Sequence, residues 1–130
     1  MTPNELCDFI QNDKRILTPD LLKGKWRKIN EESGIRTTGH CYAAAEALFY
    51  LLGGKESSPY RPKMVKIDEG THWFLEQPET GKRLDPTSTQ FPNGVDYSSA
   101  IGKGFMQQSD RSKIIIERVK SILDLNSIST

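Results

Sequence analysis

Two cysteines and two histidines bound the nucleophilic and acid–base chemistry open to this chain. Cys41 follows Thr37-Thr38-Gly39-His40 and opens the run Tyr42-Ala43-Ala44-Ala45-Glu46-Ala47-Leu48. That order predicts a glycine turn feeding a helix with Cys41 at its start. A helix N-terminus carries roughly +0.5 of an elementary charge and presents free N–H groups. Both favour the thiolate form of a cysteine placed there, and the same N–H groups suit an oxyanion. A thiol nucleophile also needs a base. His40 adjoins Cys41 in the chain and is poorly placed to face it, which leaves His72. His72 lies in Thr71-His72-Trp73-Phe74-Leu75, an extended pattern. Arg83-Leu84-Asp85 is the next extended pattern, and Gln77-Pro78-Glu79-Thr80-Gly81 between them has turn chemistry. In that hairpin Asp85 comes alongside His72. Cys41 as nucleophile, His72 as base and Asp85 as the group orienting the imidazole form a complete set. Cys7 has neither a glycine turn before it nor a histidine near it, and reads as a dispensable structural thiol.

The elements that must hold this set follow from apolar spacing. Residues 3 to about 12 read as a short helix with Leu6, Phe9 and Ile10 on one face. Thr18-Pro19-Asp20 has a cap, a first-position proline and a first-turn acid. Leu22, Trp26 and Ile29 then continue with helical spacing, so one helix is expected from Thr18 to about Glu32. Gly24 weakens it by about 1 kcal/mol. In that reading Lys23-Gly24-Lys25-Trp26-Arg27-Lys28 turns Trp26 inward and its cations outward, which explains the run better than single-stranded nucleic acid binding. The Ala/Leu-rich helix from Cys41 to Leu52 is apolar around most of its circumference, as a central helix is, and closes at Gly53-Gly54. Glu46, its one charge, reads as structural. Strands are expected at 64–67, 71–75 and 83–85, a loop over 86–104, and a last helix from the cap Ser109 to about Leu125. Helices, a small antiparallel sheet, then a C-terminal helix is the order of an α+β fold with a central Cys-bearing helix packed on the sheet.

At 130 residues the length suits a single domain over 1–130, able to bury a core without metal or disulfide. A net charge of +1 disfavours a strongly basic nucleic-acid binder, and no nucleic-acid partner is expected. No apolar run reaches the ~18 residues of a membrane span, and residues 1–6 lack a basic, then apolar, signal pattern. A cytoplasmic protein with reduced thiols is the expectation. Composition implies no cofactor.

Gly39-His40-Cys41 opening a helix, His72-Trp73 in a strand and Leu84-Asp85-Pro86-Thr87 after it resemble the transglutaminase-like core of the papain-like cysteine-enzyme superfamily. Within it, Leu52-Gly53-Gly54 and Asp85-Pro86-Thr87-Ser88-Thr89-Gln90-Phe91 resemble the small bacterial and phage YunG-like proteins. The resemblance covers about residues 37–91 and a final helix containing an arginine. It implies a minimal papain-like fold, a Cys41–His72–Asp85 triad, and supporting roles for Gln90, Thr87, Trp73 and His40. The chain departs from the pattern in two places. Trp73 follows His72 directly, and His40 stands where the relatives have glutamine. A second oxyanion donor therefore stays open among Trp26, Gln90 and the Cys41 backbone N–H.

Three functions fit these residues. The first is a cysteine hydrolase or acyl transferase acting on a protein or a small amide or ester; peptidase, deamidase and transamidase outcomes share its machinery. The second is a papain-like protein-binding module, such as a phage product that engages a host protein without catalysis. The third is a metal site using Cys41, His72 and Asp85, disfavoured because no fourth ligand recurs at a tight spacing.

Overall fold

Thr2 caps the first helix: its hydroxyl accepts from the Glu5 N–H at 3.1 Å while the Glu5 carboxylate accepts from the Thr2 N–H at 3.0 Å. With Pro3 at the first helical position, this box starts α1 (Pro3–Asn12). Here and below, a computed structural model describes residues 1–68 and 70–128. Leu6, Cys7 and Ile10 form the buried face of α1. Cys7 is therefore a core residue, and its replacement is expected to cost stability.

The helix expected from Thr18 is two pieces. Pro19–Leu21 makes one 3₁₀ turn, Leu22 and Lys23 are extended, and α2 (Gly24–Ser33) begins afresh. The extended step lets consecutive Leu21 and Leu22 both be buried, which one helical face would not allow. Gly24 takes φ +57°, the left-handed conformation that glycine adopts freely. Trp26 on α2 is consequently half-buried and does not enter the core.

α3 (Cys41–Leu51) is the central helix, with Ala43 through Phe49 all buried. Its alanines let neighbours approach closely, and it touches α1, the sheet and the C-terminal helix. A single turn, α4 (Gly54–Ser57), follows in what reads from sequence as loop. The sheet has the order β3-β2-β1-β4, made by β1 (Arg61–Ile67), β2 (Gly70–Glu76), β3 (Arg83–Leu84) and β4 (Ile101–Gly102). All pairings are antiparallel, with Val65 opposite His72 and Leu75 opposite Leu84. The expected hairpin is present, and β1 flanks β2 on its other side. β4 was not foreseen, since a two-residue strand has no period to detect; Lys103 N–H extends it by donating to the Pro62 carbonyl at 3.2 Å.

α5 (Asp110–Ile128) starts at Ser109, as the sequence predicts. The Ser109 hydroxyl accepts from the Ser112 N–H at 3.2 Å and donates to Glu46 Oε1 at 2.5 Å, and the Ser109 N–H donates to the same oxygen at 3.1 Å. The buried Glu46 thus seats the N-terminus of α5 on α3, a favourable place for an anion. Arg118 on α5 donates to the Ile16 carbonyl at 2.9 Å and the Thr18 hydroxyl at 2.7 Å. One apolar cluster joins Ile10, Ile16, Leu17, Leu48, Leu75, Leu84, Ile115 and Val119. The fold is α+β. Among the described residues, no helix is long and apolar enough to cross a membrane.

Candidate active site

Cys41 is the first residue of α3, and the turn before it depends on Gly39 at φ +87°. A Cβ on Gly39 would also meet Leu22 at 3.4 Å and Trp26 at 3.5 Å. The first intrahelical bond runs from the Ala44 N–H to the His40 carbonyl at 2.9 Å. The N–H groups of Cys41, Tyr42 and Ala43 therefore have no acceptor within the helix, which is where an oxyanion can bind. The thiol, only 8% exposed as a residue, donates to the Thr71 carbonyl on β2 at 3.6 Å.

His72, the next residue on β2, is fully buried. Its Nε2 lies 2.6 Å from Asp85 Oδ2. Phe91 meets the imidazole edge-on at 4.7 Å between ring centres, and Phe74 stacks near it at 6.1 Å. Burial among these rings opposes a charged imidazole. The Asp85 carboxylate bonded at Nε2, helped by the nearby Cys41, outweighs it and raises His72 to about 9, while the thiol's own hydrogen bond goes to Thr71. Because Asp85 occupies Nε2, Nδ1 is the nitrogen left to serve Cys41.

Asp85 accepts two further bonds, from the Thr87 N–H at 3.2 Å and the Tyr97 hydroxyl at 2.7 Å. Burial and the Asp85 carboxylate both push the Tyr97 phenol upward, so it stays a donor. Gln90 Nε2 lies 3.2 Å from His72 Nδ1 and 3.0 Å from the Thr87 hydroxyl, while its Oε1 accepts weakly from the Gly39 N–H at 3.4 Å. This arrangement suits a neutral ring with Nδ1 as acceptor. A protonated ring places an N–H there, so the amide must rotate or yield that side to the Cys41 thiolate. Gln11 on α1 fixes the turn carrying Gln90, its Oε1 accepting from Ser88 Oγ at 3.0 Å and the Thr89 N–H at 3.1 Å.

The residues picked from sequence thus divide. Cys41, His72, Asp85, Thr87 and Gln90 are joined by hydrogen bonds or contact. Trp26 and Trp73 line a cleft of about 330 Å³ that opens on Cys41. His40 lines no part of it. Its ring is buried and its Nε2 has no hydrogen-bond partner. Burial, then the nearby charges of Arg111 and Arg36, lower it to about 4 and keep it neutral. Tyr97 and Gln11 were missed. Tyr97 lies in an aperiodic loop and Gln11 near the end of a helix, and neither has a sequence signal tying it to Asp85 or Gln90.

A larger hollow of about 480 Å³ lies elsewhere, between Phe49, Arg61 and Phe105. Among the described residues it is lined by no cysteine, histidine or carboxylate, so the smaller cleft is the chemical candidate. Cys7 and Cys41 are both unpaired. Burial, then the charge of the neighbouring Asp85, drives the Cys7 thiol up to about 12, which makes it inert. Asp85 sits behind His72, and among the described residues no three His, Cys, Asp or Glu side chains converge as metal ligands. Comparison with family models, curated proteins and solved structures finds no match to this chain.

Proposed function

We propose that this protein is a cysteine-nucleophile acyl-transfer enzyme, a hydrolase or transferase of the papain-like and transglutaminase-like kind. The observation that carries this reading is Cys41 at the α3 N-terminus beside His72, with Asp85 2.6 Å from the far nitrogen of the same ring. The Cys41 thiolate attacks an acyl carbonyl carbon, and the carbonyl electron pair moves onto oxygen, facing the free N–H groups of the first α3 turn. The tetrahedral species collapses to a thioester. The amine, alkoxide or thiolate leaves with the proton from His72 Nδ1. Neutral His72 then takes a proton from water or another acceptor, which attacks the thioester and regenerates the thiol. Asp85 compensates the imidazolium during both transfers.

The test needs no known substrate. Iodoacetamide should alkylate Cys41 at pH 6–7 faster than it alkylates a free cysteine derivative, and His72→Gln should slow it by about tenfold or more. Cys7, 5% exposed against 8% for Cys41, should react more slowly than Cys41, because burial and the Asp85 charge raise its thiol pKa. A Cys41 rate no higher than that of the free thiol, or one indifferent to His72→Gln, defeats the proposal.

A further inference from the structure

The cleft over Cys41 has a one-sided charge. Lys25 from α2 and Arg111 from the first turn of α5 line it together with Trp26, Tyr42 and Trp73, and among the described residues no carboxylate does. Elsewhere on these helices Arg27 pairs with Glu31, Lys28 with Glu32, Lys113 with Asp110 and Arg118 with Asp20, while Lys120, which does not line the cleft, has no acidic partner among the described residues. Among the described residues, Lys25 and Arg111 have no acidic partner. Lys25 lies over the Trp26 ring, with Nζ 5.4 Å from its centre. Arg111 is half-buried, so part of its hydration is already lost and an incoming anion recovers it. A guanidinium meets a carboxylate in a two-pronged bond that an ammonium cannot make. The neighbouring hollow, about 390 Å³, shares Trp26 and Arg111 with the cleft and adds both Lys23 and Asp110, so the unbalanced positive charge is confined to the cleft over Cys41.

We infer that the acyl compounds handled by Cys41 are acidic ones, carrying a carboxylate near the carbonyl under attack, with Arg111 and Lys25 binding that carboxylate and the aromatic walls enclosing the chain between. This rests on Cys41 being the nucleophile. It narrows the substrates to amides, peptides or esters with an anionic group close to the scissile bond. The aromatic walls exclude water and so strengthen the charge pairing.

Two alkylating reagents of nearly equal size test it. Iodoacetamide reports the thiolate alone, and iodoacetate adds the carboxylate. For each protein the ratio of the iodoacetate rate to the iodoacetamide rate is measured on Cys41, with N-acetylcysteinamide as the neutral reference thiol. The wild-type ratio should exceed that of the reference. Lys25→Gln/Arg111→Gln should lower it by about 3- to 10-fold, and about 0.5 M salt should shrink the difference between the two proteins. His72 is present in both proteins, so its charge cancels from the comparison. Arg111→Lys keeps the charge but not the two-pronged bond, so its ratio should fall between those of the wild type and Arg111→Gln. The exposed Lys25→Gln single variant carries the test if the double variant is unfolded by circular dichroism, with a smaller drop in the same direction. A ratio unmoved by these substitutions, with Cys41 still reacting rapidly with iodoacetamide, overturns this inference alone. A Cys41 no faster than the reference thiol with iodoacetamide overturns the enzyme reading, and this inference with it.

Discussion

Asp85 is shared by three donors, and their balance sets the charge on His72. The imidazole at 2.6 Å and the Tyr97 hydroxyl at 2.7 Å compete for the same oxygen. Because the chain has only two histidines, nitrogen-detected NMR can follow each ring separately. His72 should titrate near 9 and His40 near 4, with neither at the ordinary value near 6.5. Asp85→Asn removes the compensating charge and should bring His72 down by more than about one unit. Tyr97→Phe removes a donor that draws charge from Asp85, so His72 should move slightly up. Both variants should stay folded. A His72 midpoint unchanged in Asp85→Asn would show that Asp85 does not govern the ring.

At the level of elements, the site is a junction between the start of α3, the middle of β2, and the turn after β3. Each is held by something remote in sequence. Gln11 on α1 pins the turn bearing Gln90, and Glu46 on α3 pins the start of α5, which carries Arg111. Glu46→Ala deletes an acceptor of two bonds and leaves a void in a fully buried position. The expected loss is about 2–4 kcal/mol in denaturant unfolding, from lost hydrogen bonds to a charged group plus the cavity. Hydrogen exchange should quicken first at residues 109–112. A loss below about 0.5 kcal/mol would mean that α5 is seated by apolar packing alone.

For the whole molecule, the two histidines pull the pH dependence of stability in opposite directions. The folded pKa of His72 lies above the unfolded 6.5, so the native state holds more protons between pH 6.5 and 9. Its contribution is complete below about 6.5 and is lost as pH rises through 9. The folded pKa of His40 lies below 6.5, so the unfolded state binds more protons between 4 and 6.5. Its contribution is present above 6.5 and is lost as pH falls through 4. Each shift amounts to about 3 kcal/mol at full development. Thermal unfolding across pH should therefore give a maximum near pH 6.5. His72→Gln should flatten the alkaline side while leaving the acid side sloped. A wild-type curve flat from pH 6.5 to 9 would refute the alkaline half.

Local chemistry made much of this legible from the chain alone. The alanine-rich run after Gly39 and the Ser109 cap each act within a few residues, so these helix starts stand in the sequence. The extended, aromatic-rich pattern of β2 and the turn composition after it were enough to bring His72 and Asp85 side by side. The sequence was silent wherever a partner is distant along the chain. Residues 97 and 11 reach Asp85 and the Gln90 turn only because the sheet and α1 stack there, and no spacing rule encodes that contact. The break at Gly24 was decided by the burial of both Leu21 and Leu22, a tertiary demand that overrides helix propensity. That break leaves Trp26 and Lys25 at the mouth of the cleft, and the docking of α5 on Glu46 brings Arg111 opposite. The proposed nucleophile and its proposed base could be picked from residue types and order. The charge of the cleft above them arises from three helices meeting, and so exists only in the folded molecule.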